Sequence, residues 1–186
     1  GIEEWKQLIN ESIKYPHIDP TPEKTLTKFL REEKQNCEKY HKIVKTLRSK
    51  EKTPEVSSPE DVEKLILDLN SGMIKYPEDE KFLDGLLLSC KKLVARAHHL
   101  LSGTEKEPIS EFNKTLDLIK RFPVTLKNEE EKLEKAVSDA NRLATTVRKS
   151  SNIDLVNLDK ILSEYNECPV LISEVEKLRE NYEESK

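Results

Sequence analysis

The sequence has little of what sites of chemistry are built from. Four glycines in 186 residues leave no glycine-rich phosphate loop, and neither the dinucleotide-binding nor the GxSxG hydrolase spacing occurs. Three cysteines, Cys37, Cys90 and Cys168, are odd in number and far apart. They read as free thiols of a reducing compartment and not as a disulfide or zinc framework. Among the four histidines, the adjacent His98 and His99 point about 100° apart on a helix, while His17 and His41 have no partner at ligand spacing. No apolar run reaches the roughly 18 residues of a membrane helix. The opening Gly1-Ile2-Glu3-Glu4-Trp5 reads as neither a signal nor a transit peptide. The hydrophobic share, 35%, lies below the roughly 45–50% of compact domains. That excludes a thick sheet core and favours narrow seams between amphipathic helices.

Charge is abundant but balanced. Charged residues make up 37% of the chain, and 32 basic against 36 acidic residues leave a net charge of −4. Such a balance suits neither a disordered acidic tail nor a dedicated DNA-binding domain. Residues 1–58 sum to +2, 59–107 to −3, 108–151 to +2 and 152–186 to −5.

The main organising signal is a repeat around proline. Lys14-Tyr15-Pro16, Lys75-Tyr76-Pro77, Arg121-Phe122-Pro123 and Glu167-Cys168-Pro169 place their prolines 61, 46 and 46 residues apart. Eleven residues before each proline stand Trp5, Ile66, Phe112 and Leu158, and four before stand Ser12, Met73, Ile119 and Tyr165. With Leu8, Ile9, Leu69, Leu116, Ile161 and Leu162 these positions share one helical face, and the proline is expected to end that helix. A longer apolar period follows each of the first three prolines, through Leu26–Leu47, Phe82–Leu101 and Leu133–Val147. Ser58 before Pro59 reads as an N-cap, Gly103 as a C-terminal cap, and Glu129-Glu130-Glu131 suits a helix N-terminus. The expected fold is all-α: an elongated array of about four antiparallel hairpins, each a short helix, a Pro-turn and a long helix. It forms a single helical-repeat domain over 1–186, with units at roughly 1–50, 58–103, 108–150 and 152–186 and polar linkers at about 50–58 and 103–108. The fourth unit stops short of a full second helix, which reads as a piece of a longer protein.

Carboxylates on helices this charged read as solvated faces with partners four residues on, such as Glu38–Lys42 and Glu131–Lys135. No catalytic, cofactor-binding or metal-ligating residue is assigned. Trp5 reads as a core residue, because it fills a repeat position taken elsewhere by Ile66, Phe112 and Leu158. One cluster suggests binding: Lys39, Lys42, Lys45, Arg48, Lys50 and Lys52 gather six cations with one acid, Glu51. Positions 42, 45 and 48 drift slowly around a helix, so the group reads either as a nucleic-acid-contacting stripe or as a solvated helix face. Lys91, Lys92 and Arg96 form a smaller group.

The stretch from Ser58-Pro59-Glu60-Asp61-Val62 through Tyr76-Pro77 to Leu93-Val94-Ala95-Arg96-Ala97-His98-His99-Leu100-Leu101-Ser102-Gly103 resembles the PLU-type helical domain of the jumonji/ARID histone lysine demethylases. The segments Phe112–Pro123 and Leu158–Pro169 are similar to further copies of its short-helix, Pro-turn, long-helix unit. The resemblance implies a nuclear, chromatin-associated protein that acts on methylated lysine of the histone H3 tail. It also implies a divergent member, fungal in character. The Fe(II), 2-oxoglutarate and zinc sites of that family lie in other domains, and no residue here matches them. On this reading the segment is a non-catalytic scaffold that docks other domains of the same protein, chromatin-complex subunits or the nucleosome. It takes no small-molecule substrate and touches no membrane. Two other functions stand beside it. One is a nucleic-acid-contacting arm built on the basic stripe, and the other is a spectrin-like cytoskeletal tether, whose units repeat at roughly twice this period.

Overall fold

The computed structural model describes residues 1–13, 20–150 and 153–185. Lys14-Tyr15-Pro16 and His17 lie outside the described residues, as does the side chain of Ser12. The protein is all-α, an array of helical hairpins. Its helices are α1 (Ile2–Ile13), α2 (Pro20–Arg48), α3 (Pro59–Ser71), α4 (Pro77–Ser102), α5 (Ile109–Arg121), α6 (Lys127–Lys149), α7 (Leu155–Glu167) and α8 (Ser173–Glu184). Two two-residue strands, β1 (Glu107–Pro108) and β2 (Val170–Leu171), pair in parallel with Glu107 opposite Val170. The chain divides into two compact units, Gly1–Ser89 and Cys90–Lys186.

The short helices explain the repeat and correct its register. Measured from the last helical residue, the same three positions are buried in each: Val62, Leu65 and Leu69 in α3, Phe112, Thr115 and Ile119 in α5, Leu158, Ile161 and Tyr165 in α7. Spacings of three and four keep these on one face, which is the stripe each helix turns inward. The residue after each helix closes it in the same way. The N–H groups of Gly72, Phe122 and Cys168 donate to the carbonyls of Leu69, Ile119 and Tyr165. Pro123 and Pro169 come one residue later, but the residue at that place after α3 is Met73. Pro77 is therefore not the counterpart of the other two prolines. It is the first residue of α4, where the missing N–H costs nothing and the fixed φ suits a helix start. Met73, expected on the buried face of the short helix, lies past its end and is exposed.

The long helices repeat as well. Leu83, Leu86 and Cys90 of α4 and Leu133, Ala136 and Ala140 of α6 sit at equal distances from their helix starts, and all are buried. The Pro-turns of the second unit feed the core directly. Val124 and Leu126 after Pro123, and Val170 and Ile172 after Pro169, are all buried, and Leu126, Val170 and Ile172 join Phe112, Leu133 and Tyr165 in one cluster. Full burial of one such side chain stabilises by about 1.5–3 kcal/mol. A Pro-Val-x-Leu/Ile repeat is thus visible in the sequence once the structure indicates where to look.

The caps form as expected. Ser58 Oγ accepts the Asp61 N–H at 3.2 Å, and Glu129 and Glu130 occupy the first turn of α6. Gly103 follows α4 with φ +64. The two polar linkers are more ordered than the sequence suggested. Between Lys50 and Ser58 the chain folds into a turn bridged between Thr53 and Val56, and both side chains are buried. The stretch Gly103–Pro108 supplies β1. Trp5 is half-buried, its ring 6.3 Å from that of Phe29.

Candidate functional site

Lys39, Lys42 and Lys45 lie on α2 with exposed side chains, and none has a carboxylate at ion-pair distance among the described residues. Each step of three residues turns the helix about 60° backwards, so three steps carry a stripe to the opposite side. Arg48 is consequently not part of the patch. Its guanidinium donates to Asp79 Oδ1 at 2.9 Å and to the Glu78 carbonyl at 3.0 Å, and it lies 5.1 Å from the centre of the Phe82 ring. His41 Nδ1 sits 2.7 Å from the other Asp79 oxygen, with its ring stacked on Tyr76 at 5.4 Å. Asp79 is almost fully buried in the first turn of α4, where helix N–H groups favour a carboxylate. The group is a brace tying the end of α2 to the start of α4. Lys50 closes the end of α2 with φ +60, and Lys52 lies beyond it. Of the six cations singled out in the sequence, the fold keeps three together. Glu55 faces two of these, Lys39 and Lys42. Its carboxyl is held below the usual range chiefly by the Thr53 hydroxyl, then by its own backbone N–H, with those two lysines adding to the effect.

In the second unit the polar groups with shaped surroundings are also braces. Lys106, from the stretch before β1, donates its ammonium protons to the carbonyls of Tyr165 and Cys168, the latter at 2.6 Å, and lies 3.9 Å over the Tyr165 ring. These are carbonyls at the C-terminal end of α7, where the Tyr165 carbonyl also accepts the Cys168 N–H but Pro169, four residues on, has no N–H to give it. Burial pulls the Lys106 ammonium below its ordinary pKa. The Tyr165 hydroxyl donates to Glu176 Oε1 at 2.5 Å and accepts from the Ile172 N–H. Burial first, and the Glu176 hydrogen bond second, push its ionisation far above the ordinary phenol value. Arg96 forks onto Glu107 with contacts of 2.8 and 2.6 Å and reaches Glu111 at 3.2 Å, fixing β1 against α4 and α5. The Arg96 hydrogen bonds hold the Glu107 carboxyl below its usual range, and Lys114 ahead of Arg96 does the same for Glu111.

The three described histidines pair with carboxylates: His98 with Glu129 at 3.7 Å, His99 with Glu107 at 3.5 Å and His41 with Asp79. Among the described residues no three His, Cys, Asp or Glu side chains come together as a metal site requires. All three cysteines are buried free thiols. The expected pairs Glu38–Lys42 and Glu131–Lys135 do not form; Glu38 pairs instead with Lys34 at 3.9 Å and Glu131 with Lys127 at 3.8 Å, the lysine in each case four residues before the glutamate. A cavity of about 390 Å³ between α6 and α7 is floored by Leu143 and Ile161 and rimmed by Arg142, Thr146, Asn157 and Lys160. Among the described residues no helix is long and apolar enough to cross a membrane. No protein-family model, no curated protein sequence and no solved structure matches this chain.

Proposed function

We propose that this chain is a non-catalytic helical scaffold of a nuclear chromatin regulator similar to the jumonji/ARID histone lysine demethylases. It presents its hairpins to other domains of the same protein, to subunits of its complex or to the nucleosome. The observation that carries the reading is the use made of the buried and half-buried ionisable groups. Asp79, Arg96, Glu107, Lys106 and Tyr165 all spend their hydrogen bonds on joining one helix end or turn to another. Groups committed in this way rigidify each unit, and a rigid unit offers a fixed surface to partners. The similarity of the Ser58–Gly103 stretch to the PLU-type unit supplies the chromatin context. Iron and 2-oxoglutarate chemistry belongs, on this reading, to other domains of such a protein.

The test is association with reconstituted mononucleosomes at about 0.2 M salt, where surface phosphate contacts are strongly weakened. Micromolar binding that persists there supports docking through a packed protein interface. Absence of binding there overturns docking of this segment on the nucleosome itself.

A further inference from the structure

The structure straightens and lengthens the basic stripe. Around the axis of α2, Lys24, Lys28, Arg31, Lys39, Lys42 and Lys45 fall within about 65° of one line. Leu26, Phe29, Leu30, Cys37, Tyr40, Val44 and Leu47 fall on the opposite side, about 180° away. All six cations are exposed. Lys28 is loosely paired with Glu32 at 3.8 Å, and the other five form no ion pair with any described residue. Glu38 is the one carboxylate inside the sector, with Glu32 at its flank and Glu55 beside Lys39 and Lys42. At about 1.5 Å per residue the ridge from Lys24 to Lys45 is about 32 Å long, close to the roughly 34 Å of one duplex turn.

We propose that this ridge on α2 binds the phosphate backbone of double-stranded DNA without reading its sequence. The occupant follows from what the ridge lacks and how it is spaced. No apolar side chain lies in the sector, whereas a protein interface needs a desolvated apolar centre. A membrane-surface helix would need its apolar face against lipid, and the apolar face of α2 is turned onto α1 and α3, with Val44 and Leu47 fully buried. What remains is a rigid row of cations in two groups of three, matched to a regular row of fixed anions. The inference does not rest on the scaffold reading, which is tested at salt where these contacts are weak.

The experiment is fluorescence anisotropy of a labelled random-sequence DNA duplex of about 20 base pairs, titrated with the whole chain between about 50 and 200 mM salt. Three to six phosphate contacts give a slope of log affinity against log salt of about −3 to −5. Two triple variants, Lys24→Gln/Lys28→Gln/Arg31→Gln and Lys39→Gln/Lys42→Gln/Lys45→Gln, keep helix propensity, and far-UV circular dichroism checks that they fold. Each is expected to weaken binding at low salt at least tenfold and to flatten the slope by about 2 to 3. A control, Lys132→Gln/Lys135→Gln on the exposed side of α6, is expected to change affinity less than threefold. The proposal is overturned by absence of DNA binding at about 50 mM salt, or by a control that weakens binding as much as the ridge variants. Tighter binding to an RNA duplex, or to vesicles of anionic lipid, would overturn it equally.

Discussion

Replacing Lys106 by methionine keeps most of the length and bulk of the side chain and removes its charge and donors. In the native protein the ammonium satisfies the carbonyls of Tyr165 and Cys168 and lies on the face of the Tyr165 ring. Hydrogen bonds to a charged donor contribute about 1.5–3 kcal/mol each, and a partly desolvated cation–π contact about 0.5–2 kcal/mol. Against this stands the desolvation that pulls the ammonium's pKa down, together with the entropy of fixing a lysine. The balance favours a net loss of about 2–3 kcal/mol in Lys106→Met, since the Cys168 carbonyl loses its charged donor and the Tyr165 carbonyl is left with the Cys168 N–H. For a chain of this length each kcal/mol lowers the melting temperature by roughly 2–4 °C, so a fall of roughly 4–12 °C is expected by far-UV circular dichroism. Lys106→Arg, which keeps the charge and can still donate to carbonyls, is expected to recover part of the loss. If Lys106→Met unfolds within about 0.5 kcal/mol of the wild type in urea, the ammonium is not a brace and the account of this end of α7 is wrong.

Three further outcomes follow from particular residues. Gly85 lies on the exposed side of α4 with nothing within 4 Å of an added Cβ, so Gly85→Ala is expected to stabilise by about 0.5–1 kcal/mol in urea unfolding. Gly103 takes φ +64, and an added Cβ would meet Pro169 Cα at 3.4 Å; Gly103→Ala is expected to destabilise by about 1–2 kcal/mol in the same assay. Glu107 has its folded pKa depressed below 4.5 by Arg96, so its stabilising contribution is present above the unfolded value and lost as pH falls through the folded one. Arg96→Met should accordingly lower stability at neutral pH and make the acid limb of the stability–pH profile shallower below about pH 5. An unchanged slope there would remove the ion pair from the account.

The sequence alone determined the class of the fold. Apolar spacings of three and four, low glycine and Pro-punctuated segments permit little besides helical hairpins, and the caps at Ser58 and Gly103 were legible because each depends on one residue's own chemistry. Burial of Phe112, Leu158, Ile119 and Tyr165 was legible for the same reason. The tertiary structure decided what depends on phase and distance. Whether Pro77 ends one helix or starts the next turns on where α3 is capped, at Gly72, five residues earlier. Arg48 left the basic patch because the helix carries its side chain towards Asp79, a residue 31 positions away that only packing brings within 2.9 Å. The same rotation aligned Lys24, Lys28 and Arg31 with Lys39, Lys42 and Lys45, a ridge hidden in the sequence because its two halves are eight residues apart. Lys106 and Tyr165, separated by 59 positions, carry no mutual signal in the sequence at all. Local periodicity is written along the chain, whereas the pairing of charges follows from helix phase and from contacts made only after folding.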